Sequence, residues 1–361
     1  MTYLPTPPSE PNSDRGTKTK TETEIEIKSK SNISSKEATI YLHTPFHPKA
    51  EEYAKSKFGK IIRPEDENFN EIFPQTDGIL LRVGNLTRDM ILKANKLQII
   101  SRNGVGIDNI HIETAKERGI TITNCPGGNA QAVAELALTL TLTLLRRVVE
   151  IDNRIRLGEK VTSIKALSPG LFGKTIGLIG MGDISYEFSK LLLSFNCKIL
   201  IYSPTSNLKK WTLEDDPNSK YSSFIIPHKR ILNLNELLKN SDVISIHCPL
   251  NEKTKGLIGK EEFKKMKKNS IIINTARGGI INERELENAL ENNLISGAGI
   301  DVWEIEPAFG DTMGKLGKLK NTVVLPHLGG STDSVTLEGC MTAIDIMADY
   351  FDGKPIKNRV I

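Results

Sequence analysis

The sequence predicts an α/β protein of two domains, each an open parallel sheet flanked by helices. Short apolar runs alternate with helix-like stretches along most of the chain, the pattern of βαβ units and therefore of parallel sheets. The alternation comes in two series, separated by a long apolar stretch at 132–145. The 361 residues suffice for two ordinary cores.

The elements follow in order. Residues 1–37 are rich in Pro, Ser, Thr, Lys and Glu and almost free of large apolar side chains, so they read as a disordered tail. The first series has strands at 39–43, 77–81, 97–101 and 120–123, with a helix at 112–118 stopped by Gly119. In the stretch 132–145, Leu136, Leu138, Leu140, Leu142 and Leu144 alternate with Ala or Thr, which is a strand period. It has no turn residue and is too long for a strand, so it is read as a buried helix. The second series has strands at 175–179, 198–202, 243–247, 270–275, 298–302 and 322–325. Its helices fall at 184–194, 234–239, 260–267, 283–292 and 332–352. A polar stretch at 207–229 interrupts it and reads as a surface insertion.

Composition narrows the function. A net charge of +4 with no basic stripe interleaved with aromatics gives no argument for nucleic acid. The apolar stretch carries Glu135 and is followed by Arg146 and Arg147, and it is too short to span a bilayer. Cys125, Cys197, Cys248 and Cys340 have neither zinc-site nor disulfide-framework spacing, so no metal is expected. With no secretory signal and acidic residues scattered through 10–37, a reducing, cytoplasmic setting is expected.

The strongest local motif runs from Lys174 to Ser185: an apolar strand, then Gly180-x-Gly182-x-x-Ser185, then a helix. Gly180 permits the tight turn and Gly182 lets the backbone approach a pyrophosphate. The helix N-terminus offers free N–H groups and a positive dipole end. Ser185 replaces the third glycine and is small enough to keep the helix close to the strand. The carboxylate that would bind a ribose 2′-hydroxyl is expected about 20 residues further on, and Ser203 stands there. Nothing at that position repels a 2′-phosphate, and Thr205, Ser206, Lys209 and Lys210 lie nearby. NAD and NADP therefore both remain open.

Three later strands run into charged segments: NTARGG with Arg277, DVWEIEP with Asp301 and Glu306, and LPHLGGST with His327. Strand ends of an open parallel sheet face the ligand crevice. Hydride reduction of a 2-oxo acid needs a planar cation for the carboxylate and carbonyl, a proton donor active near neutral pH, and a carboxylate to orient that donor. Arg277, His327 and Glu306 supply one of each.

With these motifs in place, residues 38–361 resemble the D-isomer-specific 2-hydroxyacid dehydrogenase family, especially its phosphoglycerate dehydrogenase and glyoxylate/hydroxypyruvate reductase branches. The segments SRNGVGIDNI, CPGGNAQAVAE and IHCPL match as well. The resemblance implies a Rossmann-type cofactor domain at 130–329 inserted in a flavodoxin-like substrate domain formed by 38–129 and 330–361. It implies that Arg277 binds substrate, that His327 is the acid/base, and that Glu306 rather than Glu304 is its partner. Asp301 would face the nicotinamide carboxamide. Gly180, Gly182, Asp183, Ile184, Ser203, Cys248, Pro249, Thr254, Thr275 and Ala276 would line the cofactor, with NAD the family default. Gly104, Val105 and Gly106 would offer N–H groups to the substrate carboxylate. Arg82 would help hold a substrate phosphate, which favours 3-phosphoglycerate over glyoxylate or hydroxypyruvate. Asn103 stands where a small residue is usual. A homodimer is implied, with contacts around the helix after Glu135, and no regulatory C-terminal domain is expected. A non-catalytic, cofactor-sensing corepressor is the alternative from another class, and the catalytic trio argues against it. A formate oxidiser of this kind would carry Gln in place of Glu306.

Overall fold

The computed structural model describes residues 31–361. It contains two parallel sheets. The first is built from β1 (Thr39–Leu42), β2 (Lys60–Ile62), β3 (Gly78–Leu81), β4 (Ile99–Arg102) and β5 (Thr121–Thr123) in the order β2-β1-β3-β4-β5. That is the flavodoxin-like order. The second is built from β6 (Thr175–Ile179), β7 (Lys198–Tyr202), β8 (Lys229–Arg230), β9 (Val243–Ile246), β10 (Ile271–Asn274), β11 (Gly297–Ile300) and β12 (Thr322–Val324). Its order is β12-β11-β10-β9-β6-β7-β8, the doubly wound arrangement with one further strand, and the order reverses between β6 and β9. The central strands β9, β10 and β11 are buried at every residue. Parallel strands covered by helices on both faces must be so, and Val243–Ile246 and Ile271–Asn274 are accordingly rich in Ile and Val.

Two long helices cover the sheets, one in each lobe. The helix Ala130–Leu145 packs on the helix Asp183–Leu193 and on β10, β11 and β12. Its buried positions follow a helical face, so burial decided the conformation against the period-two pattern. The last helix, Asp333–Phe351, returns to the first sheet and packs on β3, β4 and the helix Pro48–Lys57. There Ser101 on β4 donates its hydroxyl to the carbonyl of Ala343 at 2.8 Å. Among the described residues no helix is long and apolar enough to cross a membrane.

Several expectations are corrected. The tail assignment for 1–30 lies outside the described residues. Residues 31–37 belong to the fold: Ser35 N–H donates to Asp352 at 3.1 Å, and Ile33 packs on the first lobe's core. The short edge strands β2 and β8 have too few residues to show a period. The helix begun at Lys260 ends at Phe263. The stretch 207–229 is not a free surface insertion. Trp211 and Ile226 are buried in the second lobe's core, and the Trp211 ring packs on Tyr186 at 5.3 Å between centroids. Two large apolar side chains pin an otherwise polar segment.

Candidate active site

Strand order gathers the three charged segments. β10, β11 and β12 are consecutive in the sheet, so their C-terminal ends present Arg277, Glu306 and His327 side by side. His327 Nδ1 lies 2.8 Å from Glu306 Oε2, and Glu306 Oε1 accepts the N–H of Trp303 at 3.1 Å. Burial raises the Glu306 carboxyl. The hydrogen bond and field of His327, the Trp303 N–H and the Arg277 guanidinium outweigh it and hold the group below its ordinary value. Glu304 turns away, its N–H bonded to Glu283 at 2.6 Å. Among the described residues nothing else hydrogen-bonds the His327 ring, so its Nε2 edge is available.

His327 has φ +62°, a left-handed conformation that costs a non-glycine residue roughly 1–2 kcal/mol. Asp301 offsets it. Its carbonyl accepts His327 N–H at 2.7 Å, and its carboxylate accepts Leu328 N–H at 2.6 Å and Gly329 N–H at 2.8 Å. The carboxylate expected to face the nicotinamide carboxamide thus also braces the histidine loop, one N–H on each oxygen. It is fully buried, and burial pushes its carboxyl above the ordinary range despite those N–H donors.

Across the cleft, Arg277 pairs with Asp108 of the first lobe, Nε to Oδ2 at 3.1 Å. Its Nη1 donates to Ala276 O at 2.7 Å. Burial raises the Asp108 carboxyl, but Arg277 and Arg102 bring it below its ordinary value. A Cβ on Gly106 would overlap the Arg277 guanidinium and the Asp108 carboxylate as they stand, so the glycine leaves room for that pair. The loop at Gly104, Val105 and Gly106 has every carbonyl pinned. Gly104 O accepts Cys125 N–H at 3.0 Å, Val105 O accepts Asn124 Nδ2 at 2.8 Å, and Gly106 O accepts Arg102 Nε at 3.2 Å. None of the three N–H groups donates to another described residue. Three successive N–H groups are thus open to an acceptor, as an anion-binding nest requires.

Arg102 and Asp108 lie within a segment quoted for the resemblance, yet neither received a role. Arg102 also donates to the carbonyls of Arg82 and Asn103. Burial, with Arg277 beside it, lowers its guanidinium to about 10. Arg82 sits at the exposed end of β3 and spends Nε on Pro45 O at 3.0 Å. Asn103 donates its amide to Cys340 Sγ at 3.1 Å and packs on Gly339, so its bulk lies against the last helix.

The glycine turn has the geometry its spacing demands. Gly180 has φ +109°, and a Cβ on it would meet His247 O at 2.5 Å, whereas nothing lies within 4 Å of a Cβ on Gly182. The first N–H groups of the following helix, at Asp183 and Ile184, have no intrahelical acceptor. Ser185 is buried and donates to Gly180 O at 3.0 Å, which keeps the helix close. Thr275 Oγ1 is buried without a partner. Asn274, which the sequence did not single out, accepts Ala276 N–H at 3.1 Å and donates to Arg277 O at 2.9 Å, so it shapes the turn before the arginine. Burial raises the Cys248 thiol to about 11, beside Pro249. Thr254 braces the next loop by donating to Pro249 O at 2.6 Å. Ser203 Oγ lies 2.8 Å from Ser206 Oγ. Arg230 on β8, unforeseen because it is distant in sequence, donates to Ser203 O at 2.7 Å. The open turn, the free helix N–H groups and the orphaned hydroxyl fit a dinucleotide.

Two lobes, a dinucleotide turn at the point where strand order reverses, and a histidine–carboxylate pair beside an arginine define a two-domain nicotinamide-dependent oxidoreductase. The model of the D-isomer specific 2-hydroxyacid dehydrogenase NAD binding domain matches residues 138–329. A hydroxypyruvate reductase of Thermotoga maritima is 39% identical over 270 residues, covering 74% of this chain and 82% of the relative. A D-3-phosphoglycerate dehydrogenase of Archaeoglobus fulgidus is 35% identical over 288 residues, covering 80% of this chain and 52% of that one. A glyoxylate reductase structure from Paecilomyes thermophila superposes with a TM-score of 0.72 at 28% identity, covering 90% of this chain and 98% of the other. The chain belongs to the D-isomer-specific 2-hydroxyacid dehydrogenase family and is an NAD(P)-dependent dehydrogenase acting on the CH–OH group of 2-hydroxy acids.

Proposed function

We propose that this chain reduces a short 2-oxo acid, glyoxylate or hydroxypyruvate, to the D-2-hydroxy acid. The observation that carries the reading is the His327–Glu306 contact of 2.8 Å at the strand end next to Arg277. When bound, the nicotinamide supplies the hydride for the 2-carbonyl carbon. His327 gives a proton from Nε2 to the carbonyl oxygen, and Glu306 fixes the ring through Nδ1. Arg277 leaves Asp108 for the substrate and stabilises charge developing on the oxygen. The nest at 104–106 holds the carboxylate. The relatives named for glyoxylate and hydroxypyruvate support this choice.

A second reading, oxidation of 3-phosphoglycerate, draws support from Arg82, whose charge lies close enough to affect buried Arg102 beside Arg277. A panel of glyoxylate, hydroxypyruvate and 3-phosphohydroxypyruvate separates the two. Arg277→Ala and His327→Ala should each lose about a hundredfold or more in kcat/KM, and normal turnover by either removes the reading.

The β7 end has hydroxyls and Arg230 where a carboxylate would reject a 2′-phosphate, which supports use of NADPH as well as NADH. We also infer a homodimer through the exposed apolar side chains of the segment after the helix Ala130–Leu145, among them Ile155, Ile164, Leu167 and Phe172, which are 56%, 70%, 69% and 73% exposed. Light scattering that returned a monomer would remove that inference.

A further inference from the structure

The segment joining β7 to β8 reaches back to the glycine turn. Its anchor is an aromatic cluster: Trp211 and Tyr221 pack on Tyr186, with Tyr186 and Tyr221 4.9 Å apart between centroids. Tyr186 adds a hydrogen bond to Phe224 O at 2.7 Å. This fixes where two of the segment's lysines, Lys210 and Lys220, fall. Lys210 Nζ donates to Met181 O, between the two glycines, at 2.5 Å, and lies 4.8 Å from the Tyr221 centroid. Lys220 Nζ lies 2.6 Å from Asp183 Oδ2, and Tyr221 donates its hydroxyl to the other oxygen of that carboxylate.

Asp183 opens the helix that follows the glycine turn. A carboxylate there suits the helix dipole but repels a diphosphate docking on the same N–H groups. Beside it is a cavity of about 230 Å³ bounded by Gly127, Gly128, Gln131, Asp183, Lys220 and Tyr221. Glu187 also lines the cavity, paired with Lys190 at 2.8 Å, and Lys210 feels Asp215 and Arg230 besides Asp183. With Lys220 on Asp183, the cations beside the turn outnumber the carboxylates by one.

We propose that the segment between β7 and β8 is a pyrophosphate clamp, in which Lys220 and Lys210 neutralise Asp183 and supply the positive charge that holds the cofactor's diphosphate. The clamp rests on the dinucleotide reading of the glycine turn. Lys220 is largely exposed, so its loss leaves the core untouched.

The test is calorimetric titration of the full chain with ADP-ribose, which has the diphosphate but no nicotinamide, and with adenosine, which has no phosphate. Lys220→Met should weaken ADP-ribose at least fivefold, and K210M/K220M should weaken it further. Adenosine affinity should stay within twofold and the melting temperature of Lys220→Met should not change. Less than a fivefold loss of ADP-ribose affinity in both variants overturns the clamp, as does an equal loss for adenosine. An unsubstituted chain that binds neither ADP-ribose nor NADH would instead remove the dinucleotide reading, and the clamp with it.

Discussion

Replacing Glu306 by Gln removes one charge while keeping the shape of the side chain. The Oε2–Nδ1 contact is 2.8 Å, a short charge-assisted geometry. Hydrogen bonds to charged groups contribute about 1.5–3 kcal/mol. Both side chains are more than a third open to solvent, at 42% for His327 and 36% for Glu306. Screening therefore favours the lower end, about 1.5–2 kcal/mol, which is roughly ten- to thirtyfold in rate. The assay is kcat/KM for glyoxylate with saturating NADH between pH 5 and 9. The deficit should hold across this range, because the Glu306 carboxyl is kept below its ordinary value of 4.5 and stays ionised throughout it. NADH affinity should be unchanged, because Glu306 does not line the glycine turn. A variant within twofold of the parent at pH 7.5 would refute the pairing. A deficit matched by lost NADH binding would show that the carboxylate only shapes the loop.

The remaining expectations test supporting residues. Arg102→Met withdraws the guanidinium from the Gly106, Arg82 and Asn103 carbonyls; KM for the oxo acid should rise at least about tenfold, with NADH affinity within twofold. Asp301→Asn presents an amide N–H₂ where backbone N–H groups of Leu328 and Gly329 need acceptors; calorimetry should show a loss of about 1–3 kcal/mol, with a fall in kcat. Trp211→Ala empties a fully buried site and should cost about 3–5 kcal/mol in denaturant titrations. Glu306 titrates below its ordinary value of 4.5 when folded, so its contribution is complete above that value and lost as pH falls through the lowered one. Below pH 4.5 the parent's melting temperature should therefore fall more steeply than that of Glu306→Gln.

Much of this architecture is written locally. An Ile-rich run such as Ile271–Asn274 meets a turn and a helix within a few residues, so alternation alone announces a parallel sheet. The Gly180–Gly182 turn is likewise legible, because its dihedral and steric demands involve only the adjoining strand and helix. Arg277, Glu306 and His327 stand out because each follows a strand whose end must face the crevice.

What the sequence could not reveal depends on which distant segments meet. The bond of Asp108 to Arg277 crosses the cleft. Arg102 acquires its purpose from three carbonyls it must reach in space, and Arg230 reaches the β7 end only because β8 pairs beside it. Polarity marked 207–229 as peripheral, since composition averages over a segment, whereas packing is decided by Trp211 and the rings it finds. By itself the sequence determined two parallel-sheet lobes, a nucleotide turn and a histidine–arginine–carboxylate set, because strand and helix periods and turn chemistry are short-range properties. The tertiary structure decided which charges neutralise one another and which backbone N–H groups stay open, because Coulomb energy and hydrogen bonding depend on distance through space.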